Sequence, residues 1–266
     1  MYSYLLPNFR PSGTDKFSHQ PFMIHFFRRI RHKLLTEGRL SKYLVYAIGE
    51  IALVMIGILL ALQVNNWNEQ RHEDKKEVQL LHAFKAALLS DIDQLNVKVQ
   101  RANSDNKRVD IIKPYVQSLL PLHDSLALHF GIITKAGRHF KFRPQLAAYN
   151  KLKNEGADLI KNQKLQSALL DLYSIEQPLV DAALENYKNN IRSYGRPIAR
   201  KKFLFSKNAE YTGIMPVDYP SIIGDVELQN VLEISHANNI QIIDQSTHLI
   251  YLSKQLIALI ESELNH

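Results

Sequence analysis

The sequence predicts an all-α protein, in which a single transmembrane helix is followed by an antiparallel helical-bundle extracytoplasmic domain. Three observations carry that prediction. Leu44–Val64, LVYAIGEIALVMIGILLALQV, holds one formal charge, Glu50, and one other strongly polar side chain, Gln63. As a helix it would span roughly 31 Å, enough for a bilayer's hydrocarbon core. Beyond it, apolar residues recur at steps of three and four through three long stretches, and no stretch keeps a strand's period of two for long. The 266 residues include no Cys. The roughly 200 residues after the span therefore need a buried core rather than disulfides, and thiol chemistry and Cys-ligated metals are excluded.

The flanks of the span set an expected orientation. Arg28, Arg29, Arg31, Lys33, Arg39 and Lys42 precede it, with Tyr43 and Tyr46 near that boundary, and Asn65, Asn66, Trp67 and Asn68 follow. A basic flank marks the cytoplasmic side, and Tyr and Trp favour the interfaces. The net charge of +7 divides unevenly: +6 lies in residues 1–43, Glu50 subtracts one, and +2 is left for residues 65–266. The excess is topological, so the expected charged partner is an anionic headgroup layer and not nucleic acid.

Residues 1–22 carry Pro7, Pro11, Ser12, Gly13 and Thr14 without periodicity and read as a disordered or non-native extension. The apolar run lies too far in, and lacks a small-residue cleavage site, for a cleaved signal peptide. Residues 23–37 read as a basic amphipathic juxtamembrane helix. There Phe26, Phe27, Ile30 and Leu34 could lie on lipid while Arg28, Arg31 and Lys33 meet headgroups. Gly38 breaks that helix, and Ser41 caps the next, which spans residues 42–66.

Residues 67–264 form the expected helical-bundle domain. Its first seam is Leu81, Phe84, Leu88, Ile92, Leu95, Val99 and Ala102, with Lys98 on the solvent side. The period persists weakly through Val109, Ile112, Val116 and Leu119, with Pro114 as a kink or restart. Leu88, Ile92 and Leu95 are expected to pack against Leu169 and Leu172, with Leu252 and Leu256 nearby. Two segments, near 121–145 and 195–225, are irregular. A short helix is expected over Leu122–Phe130, then a strand or loop in which Phe140 and Phe142 alternate with His139, Lys141 and Arg143. Tyr149–Leu159 reads as a short helix ended at Gly156. Asn162 caps a long helix with the seam Leu165, Leu169, Leu172, Glu176, Leu179, Ala183, Tyr187 and Ile191, kinked at Pro178. Arg200, Lys201 and Lys202 read as a solvated cluster beside two core or half-buried rings, Phe203 and Phe205. The last helix, Val226–Leu264, presents Val231, Ser235, Asn238, Ile242, Leu249, Leu252, Leu256 and Leu259.

The chain lacks G-x-G-x-x-G, a phosphate-binding Gly/Lys loop, H-E-x-x-H and G-x-S-x-G. No catalytic, cofactor-binding or metal-ligating set is assigned. His248 is placed to pair with Asp244 one turn earlier, a surface pair and not a metal site. Glu176 and Asn238 fall on inward-looking seams, where polar groups specify register or are partly exposed, the alternative being the lining of a small-molecule cavity. Glu50, costly in lipid, calls either for a function or for protonation or reach to the interface that lets the bilayer tolerate it. Gly49 and Gly57, two turns apart, and Ala61 one turn further make a narrow face for a helix partner, with Glu50 one position round, at its edge.

The stretch MIHFFRRIRHKLLTEGRLSKYLVYAIGEIALVMIGILLALQVNNWNEQR resembles the opening of an uncharacterised family of single-pass membrane proteins from Bacteroidota, a domain of unknown function. Tyr46–Glu50 matches its Tyr-Ala-Ile-Gly-Glu span, and Asn65–Glu69 its Asn-Asn-Trp-Asn-Glu exit. Tyr149–Tyr173 and Leu256–Leu264 are similar to later blocks of the family. The resemblance implies a membrane location and a helical extracytoplasmic domain; with the basic flank, the expectation is a bacterial inner membrane protein with a cytoplasmic N-terminus and a periplasmic domain. It implies no activity, cofactor or catalytic residue. It begins at Met23, so the natural start is expected there.

Three functions remain compatible with these features. The first is a membrane-anchored, non-enzymatic scaffold, sensor or partner-binding module, with a homo-oligomer or membrane-protein partner met through the span. The second is an accessory subunit of a transport or envelope-assembly complex that uses Glu50. The third is an enzyme with an unrecognised site in the Phe130–Arg143 and Ile198–Asp225 regions.

Overall fold

One continuous helix of 77 residues, α1 (Leu40–Val116), carries both the apolar stretch and the first bundle seam. The computed structural model describes residues 40–119, 126, 129–134, 141–156, 159–207 and 212–265. The expectations for residues 1–22 and 23–37, and for Arg28, Arg29, Arg31, Lys33 and Arg39, lie outside the described residues. Because α1 begins at Leu40, Ser41 falls within its first turn and is not its cap. Pro114 does not restart the helix, which runs through it. It stands in the last turn, where it gives up one hydrogen bond to the carbonyl four residues back, and α1 stops two residues later.

The chain divides between Glu69 and Gln70 into two units. In the first, the large apolar side chains from Leu44 to Val64 are each 53–71% exposed. Residues from Leu44 onward make α1 long and apolar enough to cross a membrane, and no part of the apolar window is buried by protein.

The second unit is essentially all-helical. After α1 come α2 (Ala147–Glu155), α3 (Gln163–Asp171), α4 (Gln177–Asn190), α5 (Arg196–Lys202) and α6 (Val226–Leu264). The N-caps follow the sequence. Asn162 accepts from the N–H groups of Lys164 and Leu165, and Asp225 from that of Leu228. Gly156 ends α2 with φ 109°, open to glycine and strained for other residues. α6 runs antiparallel to α1. Lys85 pairs with Glu261, Asn106 with Asn239, Asp110 with His236 and Lys113 with Glu233. It also runs antiparallel to α3 and α4, through Asn162–Glu263 and Glu176–His248. α1 and α3–α4 are therefore parallel to each other, which corrects the fully antiparallel bundle. The long connection between Val116 and Gln163 permits that crossover.

Two π-helical turns adjust the long middle helix. Leu172–Glu176 precedes Pro178, and Ile191–Gly195 precedes Pro197. Proline lacks an N–H and crowds the carbonyl four residues back, and the wider turn relieves both. The extra residue also shifts the seam. Leu179 is exposed, and Val180 takes its place beside Ala183, Leu184 and Tyr187. Leu119 and Leu259 are likewise exposed, while Ile260 is buried. Lys98 is buried, against the expectation of a solvent-side residue. α1 meets both α3–α4 and α6, so its buried stripe is wider than a single seam.

The apolar interior comes in two clusters. The larger includes Leu88, Ile92, Leu95, Leu169, Leu172 and Leu256, with Leu252 packed against it, the grouping expected from the seams. The smaller gathers Val109, Ile112, Phe130, Phe203, Ile214 and Leu232. Along α1 and α6 they are separated by Asn106, Ser235, Asn238 and Asn239, and Asn239 donates to Asn106 at 2.9 Å. The close approach of Gly195 to Ile133 O belongs to the smaller cluster; a Cβ there would sit 2.3 Å from that oxygen.

The segment expected to be irregular near 195–225 holds ordered elements. After α5, β1 (Phe203–Lys207) and β2 (Thr212–Pro216) form an antiparallel hairpin in which Phe205 opposes Ile214. Near 121–145 the helix expected over Leu122–Phe130 lies mostly outside the described residues. The described part includes a 3-10 turn, Phe130–Ile133.

Candidate functional site

Glu50, Gly49, Gly57 and Ala61 all lie on α1. Glu50 is half-buried, and a Cβ added at Gly49 or Gly57 would meet nothing within 4 Å. These glycines are therefore not required by packing within the chain. An unbroken α-helix turns about 100° per residue. Glu50, Gly57 and Ala61, at steps of seven and four, then share one face, while Gly49 stands roughly a quarter-turn away. Glu50 is thus central to the Gly57–Ala61 face and not at its edge.

In the second unit, polar groups converge on Asp91. Its carboxylate accepts the N–H of Gln145 at 3.1 and 3.3 Å. One turn on, Gln94 Nε2 donates to Arg143 O at 3.0 Å, and Arg143 N–H donates to Gln94 Oε1 at 3.2 Å. Two α1 side chains thus hold the irregular segment 141–146 against the helix. Burial pushes the Asp91 carboxyl up to about 6, opposed by the Gln145 hydrogen bond. Behind it lies Tyr173, in the first π turn. Tyr149 stacks on its ring at 5.2 Å and Phe84 lies at 6.0 Å. The Tyr173 hydroxyl is buried without a hydrogen-bond partner, and burial together with the Asp91 charge raises its pKa.

Two open grooves border this strap. One, of about 370 Å³, is lined by Ala83, Ala86, Ala87, Ser90, Gln145 and Ala148. The other, of about 400 Å³, presents Lys141, Arg143 and Lys188 beside Asp181 and Glu185. Phe142 is buried between exposed Lys141 and Arg143, the alternation expected of that stretch. The second groove thus sets three basic side chains beside two carboxylates. Among the described residues no group of three or more His, Asp or Glu side chains is placed to hold a metal ion.

The histidines of α6 pair across helices. His248 Nε2 is 3.4 Å from Glu176, and not paired with Asp244, while His236 Nε2 is 3.6 Å from Asp110. Asn238 is buried as its seam position predicts. Asp91 could not be found from sequence, because its partner Gln145 is 54 positions away. The cluster Arg200, Lys201 and Lys202 is only partly solvated. Lys202 pairs with Asp225, and Phe205, expected to be at least half-buried, is 66% exposed.

Residues 50–176 match a family of unknown function (DUF6090). That match takes in most of the span, the first seam, the strap and the first π turn. No curated protein and no solved structure matches the chain.

Proposed function

We propose that this chain is a membrane-anchored, non-enzymatic envelope protein. Leu44–Val64 crosses the inner membrane once, the N-terminus is cytoplasmic, and the helical domain is a periplasmic scaffold, sensor or partner-binding module. The observation that carries this reading is the exposure of every large apolar side chain from Leu44 to Val64, a cost in water that lipid removes. The second unit, by contrast, buries its own core. Alkaline carbonate extraction of cell membranes tests the anchor. The protein is expected to stay in the pellet, and release into the supernatant together with peripheral proteins would overturn it.

A second reading makes the protein an accessory subunit of a membrane complex. It is favoured by Glu50 sharing a face with Gly57 and Ala61, which leaves room for a neighbouring helix. Glu50→Gln should keep association in native-membrane crosslinking, because an amide still hydrogen-bonds. Glu50→Leu should weaken it by about 1 kcal/mol at matched expression. Equal crosslinking of wild type and Glu50→Leu would remove this reading and leave the anchor intact.

A further inference from the structure

We infer that Asp91 and Tyr173 form the head of a binding site for a small aliphatic amine, taken up as its ammonium, with the groove at Gln145 holding the rest of the molecule. Such a site makes the helical domain a sensor of that ligand class. It uses the second unit alone and rests neither on the membrane anchor nor on Glu50.

Two unmet groups point to the ligand. Asp91 is the most deeply buried acidic residue among the described ones, 4% exposed. Acidic side chains are almost never this buried without a cationic partner. Among the described residues Asp91 has none. Its carboxylate accepts one N–H, from Gln145, and Gln94 Nε2 stands at the limit of hydrogen-bond range, 3.5 Å away. A carboxylate offers about four acceptor sites, so capacity is left over. The Asp91 carboxyl, pushed up to about 6 by burial, is mostly ionised at pH 7.5, where its charge stays uncompensated. The second group is Tyr173, 5% exposed, whose hydroxyl has no hydrogen-bond partner. It lies close enough to Asp91 to feel the carboxylate charge.

One ligand group satisfies both. A primary ammonium has three N–H donors, enough for the Asp91 carboxylate and the Tyr173 oxygen, and its charge cancels the buried one. The surrounding rings suit a cation: Tyr149 stacks on Tyr173 at 5.2 Å, and Phe84 lies at 6.0 Å. A metal ion fits less well, because among the described residues no three His, Asp or Glu side chains gather there. The groove of about 370 Å³ supplies room for the body of the ligand. Ala83, Ala86, Ala87 and Ala148 line it, with Ser90 and Gln145. Ala87 and Asp91 are four residues apart and so on one face of α1. Gln145 lines the groove and also donates its N–H to Asp91, so groove and carboxylate meet at that residue. Small apolar walls leading to one charged head suit a slim aliphatic chain.

The test is isothermal titration calorimetry of the full chain in nanodiscs at pH 7.5, with the signal of empty nanodiscs subtracted. The probes are n-butylammonium chloride and, as the uncharged comparison, 1-butanol. Wild type should bind n-butylammonium about tenfold more tightly than 1-butanol, or better. Asp91→Asn should abolish that preference. Tyr173→Phe should weaken n-butylammonium several-fold, as should Ala83→Leu, which narrows the groove from an exposed position. Circular dichroism spectra matching wild type identify these as effects on the site and not on the fold. No binding of n-butylammonium by wild type, an unchanged preference in Asp91→Asn, or wild-type affinity in Tyr173→Phe or Ala83→Leu overturns the proposal. Each of these results leaves carbonate extraction unaffected, so the site can fail while the anchor stands.

Discussion

At Asp91 burial and hydrogen bonding act in opposite directions, and burial wins. The folded carboxyl holds its proton to about pH 6 against an ordinary value of 3.8. Its contribution to stability is thus fully present below about pH 4 and is lost as the pH rises through about 6. Asp91→Asn keeps an oxygen for the Gln145 N–H and removes the charge. In chemical denaturation of the detergent-solubilised protein, it should be more stable than wild type at pH 7.5, with the gap closing towards pH 4. A gap independent of pH would place the charge outside the core. Tyr173 gives a second residue-level test. Its hydroxyl is buried and unbonded, so Tyr173→Phe keeps the contacts with Phe84 and Tyr149 and discards an unsatisfied group. The expected change is within about 0.5 kcal/mol of zero or stabilising; a loss above about 1.5 kcal/mol would show the hydroxyl to be bonded.

At the scale of the element, the π turns decide which side chains face the core. Leu88→Ala, in the middle of the α1 seam, should cost about 2 to 5 kcal/mol, whereas Leu179→Ala, displaced from the seam by the extra residue, should cost under about 1 kcal/mol. Equal losses in the same denaturation assay would mean that the seam continues unshifted through Leu172–Glu176. The seams were legible in the sequence wherever the helix keeps a period near 3.6, as from Leu81 to Ala102. Just after Pro178 the reading missed by one residue, at Leu179 in place of Val180, because a proline in a helical pattern does not announce how the backbone absorbs it; Ala183, Tyr187 and Ile191 are buried as expected. The hairpin was missed because each strand has five residues and alternates too briefly to stand out between Pro197 and Pro220. The strap on Asp91 was out of reach for another reason: it joins residues far apart, and nothing local marks it.

For the whole molecule, the apolar stretch and the bundle were both readable, because one depends on length without charge and the other on repeated spacing. The relation of the protein to its membrane is the central claim, and the absence of Cys makes it directly testable. Thr36 precedes the span, and Thr247 is an exposed residue of α6. Thr36→Cys and Thr247→Cys, each placed singly in the full chain, give one reactive thiol on either side of Leu44–Val64. The measurement is labelling by a membrane-impermeant maleimide in cells with a permeabilised outer membrane, before and after lysis of the inner membrane. The account predicts that Thr247→Cys labels before lysis and Thr36→Cys only after it. Labelling of Thr36→Cys before lysis with Thr247→Cys protected, or equal labelling of both at either stage, would contradict it.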